Sequence, residues 1–563
     1  MTGAAFIAWY LSSHGTTDAF GVPGGVVLDL IYALDRQEGI APHLSYHEQS
    51  AGFAACGYAQ SSGNLGVAYA TRGPGFTNLL TAISDAFYDS LPVLFMTAHS
   101  SDRPPSGVRV MSDQEMDTCG MVRNITKFSA RIDDADELVR LFPEACRAAL
   151  AGRKGAVFLD VSDKVLREEI LCDRIVNHDA ESVREDVMDM ADEVEREIRM
   201  ARRPLLLVGD GINQAGAIGS LRRFLSMSGL PCLSSRFSHN VAGECENYFG
   251  YIGSHGIRAA NFILSKADLV VSFGNRLNVS TKSFSFSNVL MRARFLRYEI
   301  DGSEFVRKFP NELCRMCDVV PLLNCLSVRS RDFGNHCDWL QVCEKLRGEL
   351  YDEDVNPVVR SIARVMTCIH PCTTIVADVG NHEFFVSRAA VYCKLPNRVL
   401  YSKSFGAMGS ALGRSIGAYY ATRKPVVCFV GDQGLQFNIQ ELQYVSMHRL
   451  PITIVLLNNG VSGMILDKER SGHEKFLHVS RETGFGSPDF QKIMDGYGIA
   501  YSSMAELTEE RLAMIIENCS SPGFIDCKVA GDVGLTPTLP RDRVCQDLQP
   551  SLSLPRFQSL NNL

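Results

Sequence analysis

Val426-Val427-Cys428-Phe429-Val430-Gly431-Asp432-Gln433-Gly434, followed by Ile452-Thr453-Ile454-Val455-Leu456-Leu457-Asn458-Asn459-Gly460, is the stretch from which the fold can be read. Each half is a run of aliphatic and β-branched residues that breaks into a glycine-containing, oxygen-rich loop. That is the pattern of a buried strand ending at a ligand-bearing sheet edge. Gln440-Glu441-Leu442 between them reads as helix, so the order is strand, loop, helix, strand. Asp432 and Asn459 stand 27 positions apart, each at a strand end. Mg²⁺ takes hard oxygen ligands and shares its sphere with substrate phosphates, so Asp432, the Asn459 side-chain oxygen and a nearby carbonyl suit it. The N–H groups after Asp432 and the positive end of the following helix would face the phosphates. Two unrelated turns would also use Asp and Asn. Gly209-Asp210-Gly211 serves as a control: Phe237 lies 27 positions beyond Asp210 and no Asn pair follows, so that copy reads as a turn.

Similar short runs recur at Gly66–Ala70, Val157–Val161, Leu205–Gly209, Leu269–Gly274 and Thr374–Gly380, separated by helix-like segments. Buried strands alternating with helices predict α/β architecture, with doubly wound parallel sheets covered on both faces. Residues 165–200 and 326–356 are strongly charged and read as linkers. They divide the chain into three α/β blocks, 1–165, 185–330 and 355–535, with a Pro-, Leu- and Ser-rich extended arm over 536–563.

The 563 residues, 46% hydrophobic, suffice for roughly three or four domains of ordinary size. A net charge of −8 gives no footprint for nucleic acid, and no basic run points to a membrane surface. No stretch reaches the roughly 18 apolar residues of a membrane span. The 18 cysteines are scattered singly, and Cys314 and Cys317 lack a second pair at zinc spacing, so reduced core thiols are expected. With no basic segment ahead of an apolar stretch at the N-terminus, a cytoplasmic protein is expected.

The Asp432-to-Asn459 segment resembles the thiamine diphosphate signature, and most of the chain is similar to the acetolactate synthase branch of that superfamily. Phe20-Gly21-Val22-Pro23-Gly24-Gly25, Tyr46-His47-Glu48-Gln49, Gly73-Pro74-Gly75, Asp378-Val379-Gly380-Asn381-His382 and Gly406-Ala407-Met408-Gly409 carry the likeness. It implies three domains, pyrimidine-binding, central and diphosphate-binding in that order, and thiamine diphosphate held through Mg²⁺. Glu48 would hydrogen-bond the pyrimidine N1′ and promote removal of the thiazolium C2 proton. Its small-residue neighbours Ala51, Ala54 and Ala55 argue against a solvent-facing glutamate. Met408 would wedge beneath the cofactor and the Gly406 carbonyl accept from its amino group; a methionine filling core is the rival use. Gly24, Gly380, Asn381, His382, Gly431, Gln433, Gly434 and Met464 would complete the cofactor contacts, with the Val461 carbonyl as the third metal ligand.

The sequence departs from that pattern at several points. Gln433 replaces a glycine, and His99 stands where the branch has an amide, so it would face the thiazolium as a proton shuttle or serve as a structural histidine. Arg72 would hold a substrate carboxylate or form a salt bridge. The branch's active-site tryptophan has no counterpart in Leu466-Asp467-Lys468-Glu469-Arg470; the only tryptophans are Trp9 and Trp339. Gly274-Asn275-Arg276-Leu277-Asn278 replaces a more acidic flavin-associated stretch, so FAD binding is in doubt. The resemblance implies decarboxylation of a 2-oxo acid, pyruvate first, with carboligation to a carbonyl acceptor. It also implies a homodimer or dimer of dimers with sites between subunits. A simple decarboxylase releasing aldehyde and a catalytically inactive homologue stay open. A nucleotide-dependent oxidoreductase would need a GxGxxG fingerprint after an early strand, which is missing.

Overall fold

The computed structural model describes residues 1–100, 113–170, 187–277, 286, 292–306, 311–328, 331–517, 520–541 and 543–563. Three six-stranded sheets, every paired strand parallel, follow one another along the chain. The first runs, edge to edge, Ala41–Leu44, Asp18–Gly21, Gly66–Tyr69, Val93–His99, Val157–Ser162, Phe128–Ile132. The third runs Val399–Leu400, Thr374–Ala377, Val426–Gly431, Ile452–Asn458, Gly523–Lys528, Ala500–Ser503. Numbered within each block, both read 2-1-3-4-6-5. The central sheet reads 6-5-4-1-2-3, the doubly wound order with its reversal between the first and fourth strands. All three are α/β sheets of the expected kind.

The first and third blocks share one apolar core, in which Phe53, Ala54 and Phe95 lie with Ala411, Ile416 and Leu456. Its centre is the crossing of helix Glu48–Ser62 with helix Ser410–Thr422. Glycine permits the approach. A Cβ on Gly417 would lie 1.8 Å from the Ala54 carbonyl oxygen, and one on Gly57 would lie 2.1 Å from that of Arg414.

Two expectations need correction. The charged stretch 165–200 is not simply a linker: residues 171–186 lie outside the described residues, but Val187–Met200 is a helix that buries Ala191, Val194 and Ile198 in the central core. Likewise, residues 326–356 include helix Cys337–Leu350, which buries Trp339, Cys343 and Leu346. Their charge belongs to the solvent faces of amphipathic helices. The arm from Thr536 folds back on the central block, and its terminal helix Leu554–Asn561 places Leu560 in that core. No described helix is long and apolar enough to cross a membrane.

Because neither helix can retreat from the shared core, Gly417→Ala should destabilise the protein by about 3 kcal/mol or prevent folding. Gly348→Ala, on a helix where a Cβ meets nothing within 4 Å, is the control. Thermal unfolding of the two variants checks this; equal melting temperatures would contradict the packing.

Candidate active site

In the third sheet Gly431 pairs with Leu457, so the loops after those strands open side by side. Asp432 is 3% exposed and binds both loops: one carboxylate oxygen accepts the Gln433 N–H and the other the Gly460 N–H, each at 2.9 Å. The Ser487 hydroxyl also donates to it. Burial pushes the Asp432 carboxyl up from its ordinary range, while the Ser487 hydroxyl and the Gly460 and Gln433 N–H groups pull it down. Asn459 Oδ1 accepts the Val461 N–H at 3.3 Å, which brings all three expected metal ligands into the two joined loops. Gln433 lies in helix Asp432–Phe437, so the signature's third position needs no glycine here. Gly434 does need one: a Cβ there would lie 2.1 Å from Asp378 Oδ2.

Asp378 is a site residue whose role sequence reasoning missed. Fully buried, it accepts the N–H groups of Gly409, Ser410 and Ala411 at 2.9, 3.0 and 3.3 Å. It thereby caps the helix that follows Met408 and joins that loop to the Gly380 loop. Burial raises its carboxyl to about 6. A carboxylate four residues before His382 was visible in the sequence, but its partner is 31 residues away.

Gly380 has φ +146° and precedes helix Asn381–Tyr392. His382 is wedged against two glycines: a Cβ on Gly380 or Gly431 would lie 2.9 or 3.2 Å from its ring. Burial lowers the His382 ring to about 4, so it is neutral near pH 7. Its Nε2 and Asn381 Oδ1 are buried without a partner. Unmet polar atoms beside the Asp432 loops fit a polar ligand group such as a diphosphate with its cation. Asn381 Nδ2 donates to Asp467 at 2.8 Å, and Asp467 also accepts the Leu535 N–H at 2.9 Å, at the root of the arm. Gly406 (φ +72°) and Gly409 (φ +77°) flank half-buried Met408, and exposed Met464 is the second residue of helix Gly463–Arg470.

In the first block, Glu48 opens its helix and accepts from Asn78 Nδ2 at 2.9 Å. A Cβ on Gly75 would stand 3.3 Å from its Oε1, so that glycine leaves the carboxylate room. Gly24 presses on Thr71, 2.4 Å from where its Cβ would be. His99 is 2% exposed, with Nε2 3.0 Å from Asp133 and Nδ1 3.3 Å from Asp160. Only Nε2 is hydrogen-bonded, to Asp133; Nδ1 is buried without a hydrogen-bond partner. Arg72 donates to Ser100 Oγ at 2.8 Å and to Glu115 at 3.2 Å, which makes it a salt-bridge residue.

The control turn proves to be more than a turn. Asp210 lines a cavity of about 690 Å³ between the blocks, with Arg153, Arg236, His255, Arg276 and Glu299. Burial alone would raise its carboxyl, but Lys403 and Arg398 hold it below the ordinary value. It therefore stands ionised at the turn after the first central strand, where a dinucleotide's diphosphate would sit. Asn278 of the flavin-associated stretch lies outside the described residues.

Among known proteins, the profile of the thiamine pyrophosphate enzyme N-terminal TPP binding domain matches residues 1–121, that of the central domain 191–326, and that of the C-terminal TPP binding domain 378–527. Acetolactate synthase isozyme 2 large subunit of Escherichia coli (strain K12) is 31% identical, over 89% of this chain and 90% of its own. Acetolactate synthase large subunit of Lactococcus lactis subsp. lactis (strain IL1403) is 29% identical, over 96% and 94%. Acetolactate synthase 1, chloroplastic, of Zea mays is 29% identical, over 97% and 88%.

Asp432→Ala should abolish metal-dependent binding of thiamine diphosphate, with affinity falling at least about 100-fold, as the diphosphate keeps its charge and loses its clamp. Calorimetric titration with and without EDTA measures this, and metal-independent binding by the wild type would contradict it. The residues, the sheets and the relatives lead to one conclusion: the chain belongs to the thiamine pyrophosphate enzyme family, in its acetolactate synthase-like branch.

Proposed function

We propose that the protein decarboxylates pyruvate or a near 2-oxo acid and joins the remaining fragment to a second carbonyl compound. The observation that carries the reading is the pairing of the Asp432 and Asn459 loops beside the unmet polar atoms of Asn381 and His382. In this reading Asp432, Asn459 and the Val461 carbonyl hold Mg²⁺, and Gly380, Asn381, His382, Gly431, Gln433 and Gly434 surround the diphosphate. Gly406, Met408, Met464 and Gly24 line the rings. Thiamine diphosphate, when bound, supplies the electron sink that decarboxylation of a 2-oxo acid requires. Glu48 holds the proton at the pyrimidine N1′, oriented by Asn78. The domain limits 1–165, 185–330 and 355–535, with the arm 536–563, and a cytoplasmic location belong to the same reading.

Carboligation is favoured over simple aldehyde release by the state of His99. A proton donor beside the reacting carbon would divert it to aldehyde, and the His99 Nε2 is held by Asp133. The acceptor pocket departs from the branch pattern in one respect: no tryptophan follows Asn459.

The active unit is a homodimer or a dimer of dimers. Glu48 bonds within the first block and Asp432 within the third, while exposed Tyr46, Phe405, Phe437, Met464 and Ile465 make an apolar rim for a second copy to cover. Inactive Glu48→Gln and Asp432→Ala proteins should then regain partial activity when mixed under subunit exchange. A fully active monomer in sedimentation would refute the arrangement. Pyruvate with thiamine diphosphate, Mg²⁺ and carbonyl acceptors should release CO₂ and give a condensation product, and His99→Gln should keep that activity. Release of free aldehyde alone would establish the simple decarboxylase instead, and no turnover of any 2-oxo acid the inactive homologue.

A further inference from the structure

Helix Pro74–Tyr88 touches two places that lie more than 300 residues apart in the chain. At its first turns, Asn78 donates to Glu48. At its far end, Asp85 and Asp89 reach across into the third block, both buried. Asp85 accepts from Ser402 Oγ, and that same oxygen accepts the Ala407 N–H at 2.8 Å. Asp89 accepts the N–H groups of Lys403 and Ser404, each at 2.7 Å. The segment between Leu400 and Ser410 contains no helix or strand, so these bonds from the first block supply what regular structure would. On the next helix Arg414, fully buried, pairs with Asp85 and donates to Gln60. The Lys403 ammonium pairs with Asp210 of the central block and Ser404 Oγ accepts from Arg276, so the segment is held from all three blocks.

We propose that Asp85, Asp89 and Ser402 are positioning residues for the reaction. They fix the 402–409 segment from the first block and so set Met408 in place, while the same helix orients Glu48 through Asn78. The inference rests on the reading of Met408 as the residue beneath the cofactor. A carboxylate pair that merely glued two blocks together would need Arg414 and Asp85; it would not need a hydroxyl bridging Asp85 to the Ala407 N–H, nor a second carboxylate on two successive loop amides.

Ser402→Ala removes that bridge and leaves the Asp85–Arg414 pair intact. In the cofactor-free protein, amide hydrogen exchange of residues 403–409 should speed up roughly tenfold or more, with the Glu48–Ser62 helix unchanged. With cofactor, affinity for thiamine diphosphate should move by less than about threefold, whereas C2-proton exchange should slow about 10- to 100-fold. Ser402→Thr, which keeps the hydroxyl, should restore both rates. Loop amides at the wild-type rate, or C2 exchange unaffected by a loosened loop, would overturn the proposal. If Ser402→Ala does not fold, Asp89→Asn is read in the same way, since its amide can accept from only one of the two N–H groups. Met408→Ala separates the two ideas. Unchanged C2 exchange in that variant would remove Met408 from beneath the cofactor, while amide exchange in the cofactor-free loop still decides the tether.

Discussion

The contact of helix Glu48–Ser62 with helix Ser410–Thr422 governs the rest of the molecule. Each helix follows the second strand of its block, in sheets of identical strand order, so equivalent elements meet face to face. Gly57, Gly413 and Gly417 let the backbones come closer than any side chain allows. Once they touch, the N-terminus of one helix fixes Glu48 and the N-terminus of the other fixes the loop of Met408. A helix start is where backbone N–H groups remain unpaired. Each of these two starts is met by a carboxylate: Glu441, at the head of helix Glu441–Met447, accepts from Tyr46 and His47, and Asp378 from Gly409, Ser410 and Ala411.

Much of the candidate site could be read from local pattern. Apolar runs that break at Gly-Asp and Asn-Asn marked two strand ends, and parallel adjacency then forced Asp432 beside Gly460. Other features were out of reach because their partners are remote. Asp378 looks like an ordinary strand-end acid until Gly409 and Ser410 are folded over it. Arg414 interrupts an otherwise small-residue helix, and nothing nearby in sequence foretells Asp85, 329 positions away. The stretches taken for linkers failed differently: in Val187–Met200 and Cys337–Leu350 the charge is real, but every third or fourth residue is apolar and buried. The duplicated strand order of the first and third blocks leaves no repeat in the residues, since topology constrains which positions are buried and not which side chain fills them.

Several ion pairs join the blocks. Arg414 with Asp85, Lys403 and Arg398 with Asp210, and Arg153 with Asp301 and Glu304 all join residues of different sheets. Removing one partner from a buried pair is far costlier than the pair itself is stabilising. Such pairs therefore act as checks on correct docking: a misplaced block strands an ion in an apolar core.

The arm extends that logic to the order in which the chain is made. Arg258 is buried at 1% exposure under the central sheet, and its guanidinium donates to the carbonyls of Leu548 and Pro550. Asn261 likewise donates to the Cys545 carbonyl, and Leu560 completes the apolar layer beside Trp339. During synthesis the first block can form its sheet as soon as its own strands emerge, although the core it shares with the third block closes later. The central block is completed late: Arg258 meets Asp354 earlier, but its carbonyl partners Leu548 and Pro550 are almost the last to leave the ribosome. Between those two moments roughly two-thirds of the chain is translated while one formed sheet waits beside an open block. A nascent chain truncated before Cys545 is thus a natural substrate for chaperones.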